Sequence, residues 1–234
     1  MAKELTLSDR AQLDSVNEIK ATGEFDVHFE QRPTTFPMSW FDPLSDRKAE
    51  WAGVILSQKL QECALTFTSF SCYWNSRDTE LDLSGEFHLP HLFRSLMGNP
   101  PECNDLASER ERKLLSQLRL IDAAPRRATG EATFIRIEAH KENLELWHQD
   151  RYLYDGGNNS QGFIKMELDL CGYLTMLRIT KGTFGWQHLF ADTLLRHEDF
   201  RHHVASIKNM LDVFPDTFPA YDYSDLRARL EARR

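Results

Sequence analysis

The stretch that decides the fold is residues 132–147, which read ATFIRIEAHKENLELW. Over residues 133–138, Thr133, Ile135 and Ile137 alternate with Phe134, Arg136 and Glu138, and over residues 144–147 the leucines alternate with Glu145 and Trp147. Such a period of two residues is expected for half-buried strands. The intervening Lys-Glu-Asn at 141–143 is typical of a tight turn. Alternation returns over residues 163–170 and 173–179, and Cys171-Gly172 separates these two stretches as a two-residue turn. The pattern predicts a four-stranded antiparallel meander in the C-terminal half.

Helices are predicted on both sides of this meander. The N-terminal part begins with an amphipathic helix capped by Ser8 and ended by Gly23, and continues with a strand and a hairpin. The other predicted elements are a strand at 24–30, hairpin strands at 64–74 and 79–87, a helix at 106–120, a helix at 197–214 and a last helix from Ser224. Helices flanking a locally connected antiparallel sheet indicate an α+β fold.

The chain divides at residues 123–130, which contain Pro125 and Gly130 and read as a linker. Residues 1–122 form an acidic helix and hairpin portion, and residues 131–234 form the antiparallel sheet with the C-terminal helices. A chain of 234 residues accommodates either one compact domain or two subdomains that meet at this linker.

The net charge limits the classes of partner. The chain carries 28 basic and 36 acidic residues, a formal charge of −8, and residues 1–122 hold 20 of the acidic but only 13 of the basic ones. Such a surface repels nucleic-acid phosphates and anionic membranes, and it favours a basic protein partner. The absence of a signal-peptide pattern and of a long apolar run predicts a cytoplasmic protein. The oligomeric state stays open.

No motif in the chain predicts catalysis, a metal or a cofactor. There is no GxSxG, SxxK or P-loop pattern. The cysteines at 63, 72, 103 and 171 form no CxxC, which argues against zinc ribbons and redox pairs, and in a reducing cytosol they are expected to be small buried apolar residues. The densest polar group is His188, Asp192, His197, Glu198, Asp199, His202 and His203. Its members are poorly spaced for shared coordination on one helix, so no catalytic and no metal-binding residue is assigned. A hydrolase that uses the His188–His203 cluster remains the enzyme alternative.

Aromatic residues beside acidic ones suggest a docking patch. Tyr and Trp with a few charges are the usual anchors of protein interfaces. The predicted partner-binding residues are Asp150, Tyr152, Tyr154, Asp155 and Trp186. The sequence therefore favours non-catalytic protein binding.

One family resemblance makes this hypothesis more concrete. Residues 132–234, through Lys165-Met166-Glu167-Leu168-Asp169-Leu170 to Gly182-Thr183-Phe184-Gly185-Trp186 and Asp192, resemble bacterial immunity proteins of the SUKH type in overall layout. The resemblance implies a cytosolic immunity protein, or antitoxin, that neutralises a toxin by occluding it. A third alternative is a subunit of a larger assembly, with the aromatic residues at 36–41 as its interface.

Overall fold

The fold is known from a computed structural model, which describes residues 4–32, 38, 44–105, 107–127, 129–150 and 162–234. Within these residues, helices and two antiparallel sheets confirm the α+β class. The elements are α1 (Leu7–Thr22), β1 (Phe25–Gln31), α2 (Gln58–Cys63), β2 (Ser69–Ser76), β3 (Ser84–Pro90), α3 (Leu92–Met97), α4 (Glu109–Gln117), β4 (Leu118–Ala123), β5 (Ala132–Arg136), β6 (Leu146–Gln149), β7 (Phe163–Lys165), α5 (Leu170–Thr180), α6 (Arg201–Thr217) and α7 (Ser224–Arg233). Short 3₁₀ helices lie at Leu44–Asp46, Ala49–Trp51, Trp186–Leu189 and Glu198–Phe200.

The strands form two meanders. The first sheet has the order β1-β2-β3 and confirms the N-terminal strand and hairpin. The second has the order β4-β5-β6-β7, and Phe134 lies opposite Trp147 across its central pair. Within each sheet every strand pairs with the next one along the chain, so the antiparallel meander predicted for the C-terminal half is confirmed, although its strands differ from those predicted.

The main error is the strand predicted at residues 173–179, because these residues belong to α5. The Asp169 carboxylate accepts the backbone N–H of Gly172 at 2.7 Å and so caps a helix where a turn was expected. Buried Tyr173 and Leu174 precede buried Leu177 by four and three residues, which places all three on one helical face. Over so short a stretch the same side chains fit both the strand period and the helix period. The N-cap hydrogen bond to Asp169 favours the helix.

The helix predicted at 106–120 ends at Gln117, and the chain continues directly as β4. Leu118 is fully buried and pairs with Arg136 of β5, so these residues supply the fourth strand of the second sheet. Residues 123–130, predicted as a linker, thus connect two paired strands. The main hydrophobic core also draws on both portions of the chain, including Trp74 from one and Trp186 from the other.

The prediction of four small buried apolar cysteines is wrong for three of them, because two are joined and Cys103 is exposed. Cys63 at the end of α2 and Cys171 in the first turn of α5 form a disulfide with their Cα atoms 5.5 Å apart. The remaining two, Cys72 and Cys103, are free, and burial raises the pKa of the Cys72 thiol to about 12. Because disulfides are typical of oxidising compartments, the cytoplasmic location remains a prediction. Among the described residues, no helix combines the length and apolarity needed to cross a bilayer.

Candidate functional site

The structure places two of the five predicted docking residues in the interior. Asp150 and Trp186 are both 0% exposed, and the Trp186 ring packs 4.9 Å from that of Tyr173. Neither side chain therefore presents itself to a partner. Tyr152, Tyr154 and Asp155 lie outside the described residues, so their part in the patch stays a prediction.

The interior position of Asp150 instead reveals a polar cluster. Glu131, Asp150, His188 and His203 each offer one carboxylate oxygen or imidazole nitrogen, and these four atoms all lie within 4.8 Å of one another. The last three side chains are at most 1% exposed, and the side chain of Glu131 is 8% exposed. Buried ionisable groups are costly unless they are paired or bind a metal, so this cluster is the strongest candidate site in the described part of the chain.

Four separate segments bring the cluster together. Glu131 immediately precedes β5, and Asp150 immediately follows β6, the strand paired with β5. His188 lies in the 3₁₀ helix at Trp186–Leu189, and His203 lies in the first turn of α6. The second sheet thus supplies both carboxylates, while the helical C-terminal part supplies both imidazoles.

Gly185 allows the two imidazole segments to approach each other. Its φ of +81° is left-handed, and a Cβ on it would lie 2.8 Å from Cδ2 of His203. A larger residue would therefore push α6 away from the 3₁₀ helix. The Gly185 carbonyl also accepts the Nδ1–H of His188 at 3.0 Å, which turns the Nε2 atom of His188 toward the carboxylates.

Short contacts connect each imidazole to a carboxylate. His188 Nε2 is 2.8 Å from Asp150 Oδ2, and His203 Nε2 is 2.6 Å from Glu131 Oε1 and 3.6 Å from Asp150 Oδ2. Both Nε2 atoms therefore face the same small region between the carboxylates. Burial disfavours the charged form of His188, but the hydrogen bond to Asp150 and the nearby carboxylate charges outweigh it and raise its pKa.

A third buried histidine lies against the cluster. The His148 ring is 5.1 Å from that of His188, and burial, together with the charge of His188, holds the pKa of His148 well below its usual range. Its Nδ1 is 3.3 Å from Thr133 Oγ1, which in turn lies 3.2 Å from the Tyr173 hydroxyl. Tyr173 donates to Asp122 Oδ2 at 2.6 Å, so a chain of polar contacts runs from Asp122 to His148, whose ring packs against the cluster.

The arrangement suits a divalent transition metal. Zinc bound by imidazole nitrogen and carboxylate oxygen has bonds of about 2.0–2.2 Å, so ligand atoms in a tetrahedral site lie about 3.4 Å apart. The 3.6 Å contact between His203 Nε2 and Asp150 Oδ2 is close to that separation. The contacts of 2.6 and 2.8 Å are hydrogen-bond distances, and a metal that replaced their protons would have to lengthen each by about 0.6–0.8 Å. His188 also has the hydrogen bond from its other ring nitrogen to a carbonyl that usually orients a metal-ligating histidine.

The histidine group singled out in the sequence divides in space. His188 and His203 join the cluster, whereas His197 forms an exposed pair with Asp199 at 2.9 Å. Sequence reasoning missed Glu131 and His148, and it assigned Asp150 to a surface. One sequence feature could have indicated the site: His148 and Asp150 are two residues apart, so in an extended strand both side chains lie on the same face.

Two openings border the cluster. A cavity of about 20 Å³ is lined by Glu131, Thr133, Asp122 and neighbouring residues, and it is large enough for one water molecule. A cleft of about 320 Å³ lies beside it and is lined by His203. The cluster is therefore buried but adjoins space that a water molecule or small ligand can occupy.

Comparisons of the chain with protein-family models, with curated proteins and with solved structures find no match. The resemblance to SUKH-type immunity proteins consequently remains a prediction.

Proposed function

We propose that the chain is a metalloprotein that binds one divalent transition metal ion, represented here by Zn²⁺, through Glu131, Asp150, His188 and His203. The observation that carries the proposal is the convergence of four ligand atoms within 4.8 Å in the protein interior. Two carboxylates and two imidazoles satisfy the preference of zinc for nitrogen and oxygen ligands, and the ion would offset the carboxylate charges. The metal would cross-link the second sheet to the C-terminal helical part.

Metal stoichiometry tests this proposal. Chelator-treated protein is titrated with Zn²⁺ by calorimetry, and we expect one site per chain whose affinity falls at least about 100-fold in His188→Ala. His197→Ala is the matched control, because the side chain of His197 is 71% exposed and is paired with Asp199, which is exposed as well. Binding without a defined stoichiometry, or equal weakening by both substitutions, would exclude the site.

The hydrolase alternative has one specific observation in its favour. Catalytic zinc sites keep three protein ligands and leave one position for water. Asp150, His188 and His203 are the three most deeply buried ligands, whereas Glu131 borders the water-sized cavity. In this version Asp150, His188 and His203 would hold the metal, which would activate a water molecule, and Glu131 would be the general base.

A substitution separates the structural version from the hydrolytic one. Glu131→Gln keeps an oxygen ligand but removes the base. Hydrolysis of p-nitrophenyl acetate or bis(p-nitrophenyl) phosphate by the zinc-loaded protein, lost in Glu131→Gln with zinc still bound, supports the hydrolase. Absence of turnover in the zinc-loaded wild type assigns the metal a structural role.

Neutralisation of a basic toxin by occlusion remains a second proposal, supported by the net charge of −8. A metal that stiffens the fold is compatible with it, because a rigid surface loses less entropy on binding. Since Asp150 and Trp186 are buried, the acidic surface of residues 1–122 is the first place to seek a docking site.

A further inference from the structure

Arg127 lies beside the proposed metal site, and the Glu86 carboxylate accepts its backbone N–H at 3.0 Å. The Arg127 guanidinium stacks on the Phe184 ring with its carbon 4.6 Å from the ring centroid. Within the described part of the chain it forms no salt bridge, and its Nε atom is shielded from solvent without a hydrogen-bond partner. A half-buried cation with an unused donor is a binding group for an anion.

Phe184 holds this arginine in a fixed relation to the cluster. The Phe184 ring also stacks on the His203 imidazole, with centroids 4.6 Å apart and planes 22° apart. Arg127, Phe184 and His203 thus form three stacked layers. All three side chains line the cleft of about 320 Å³, which is large enough for a small organic molecule.

A second unused donor lines the same cleft. Ser206 is 6% exposed, and its Oγ makes no hydrogen bond to any residue that the structure describes. It follows His203 by three residues on α6, so both side chains project from one face of the helix. A buried hydroxyl without a partner is costly and indicates a missing ligand or water.

The acidic residues at the cleft do not cancel this preference. Asp82 and Asp199 also line it, but both are exposed to water, which screens their charges. Asp199 is in addition paired with His197. Arg127 and Ser206, which carry the donors without partners, are both less exposed than these two carboxylates.

We propose that this cleft binds a small oxyanion, a carboxylate or phosphate group, between Arg127 and Ser206. The planar guanidinium matches two oxygens of such a group, and the serine hydroxyl donates to another of its lone pairs. The anion site is inferred from the contacts of Arg127, Phe184 and Ser206 and does not depend on a bound metal. Only the further point, that a substrate held there would lie beside a metal on His203, rests on the proposed function.

The test measures anion binding to the metal-free, folded chain. Inorganic phosphate and acetate are titrated separately by calorimetry at constant ionic strength, with sodium chloride as reference. We expect saturable one-site binding of at least one of them. Binding of phosphate alone assigns the site to phosphoryl groups, and binding of acetate alone assigns it to carboxylates.

Substitutions locate the binding. Arg127→Met should weaken it at least about tenfold, and Ser206→Ala about fivefold, because each removes a donor to a charged acceptor. Arg126→Met is the matched control: this neighbour lies over Tyr73, outside the cleft, and should leave the affinity within twofold. Circular dichroism checks that each variant is folded. If Arg127→Met does not fold, the change in anion affinity in Ser206→Ala tests the site instead.

Two results overturn the inference: no saturable binding of either anion, or equal weakening by Arg126→Met and Arg127→Met. The zinc titration described above is independent. Anion binding without zinc binding would refute the proposed metal site and leave the anion site, and the reverse result would refute only the anion site.

Discussion

Asp150→Asn in the chelator-treated protein is the most informative change to the cluster. The substitution preserves the shape of the side chain but removes the negative charge that lies 2.8 Å from His188 and 3.6 Å from His203. Removing one partner of a fully buried ion pair costs about 3–5 kcal/mol, and the amide oxygen retains one acceptor, so we expect about 3 kcal/mol. For a chain of this size that corresponds to a melting temperature lower by about 6–12 °C.

Asp199→Asn is the matched control, because it removes the carboxylate from an exposed histidine–aspartate pair at 2.9 Å. Exposed pairs contribute about 0–1 kcal/mol, so this variant should unfold almost like the wild type. Both are measured by urea denaturation at pH 7 with chelator present. If the two variants lose the same free energy of unfolding, within about 0.5 kcal/mol, the cluster is not a buried charge network.

Two further predictions concern stability elsewhere in the fold. Reduction with dithiothreitol should lower the free energy of unfolding by up to about 4–5 kcal/mol, because Cys63 and Cys171 close a loop with a sequence separation of 108 residues. The Cys63→Ser/Cys171→Ser variant should be insensitive to dithiothreitol and less stable than the oxidised wild type. If this variant melts at the same temperature as the oxidised wild type, the prediction is wrong. Burial raises the pKa of Asp122 to about 7, so between about pH 4 and pH 7 the folded state holds a proton that the unfolded chain releases. The stability of the wild type relative to Asp122→Asn should therefore fall by about 3 kcal/mol between pH 4.5 and pH 8, as measured by urea denaturation at these two pH values. A difference that does not change with pH would refute this pKa.

The local parts of the fold could be predicted from the sequence. The strand at Phe25–Gln31, the following hairpin and the long helix α6 all follow from hydrophobic period and turn residues. The strand prediction for residues 173–179 was wrong because their side chains fit both a strand period and a helix period. The interaction that decides for the helix is the single N-cap hydrogen bond to Asp169. Short segments are decided by such local hydrogen bonds, which composition does not reveal.

The candidate site was beyond sequence reasoning because its members are remote in the chain. Asp150 and His188 are 38 residues apart, and Glu131 and His203 are 72 residues apart. Their proximity depends on the pairing of β5 with β6 and on the packing of α6 against the Gly185 turn. The disulfide between α2 and α5 was missed for the same reason.

The most direct test of the metal site is a crystal structure of the zinc-loaded protein with diffraction data at the zinc absorption edge. We expect one strong anomalous peak per chain, about 2.0–2.2 Å from the Nε2 atoms of His188 and His203 and from oxygens of Asp150 and Glu131. A peak at the exposed His197 instead, or no peak within the cluster after loading, would contradict the account.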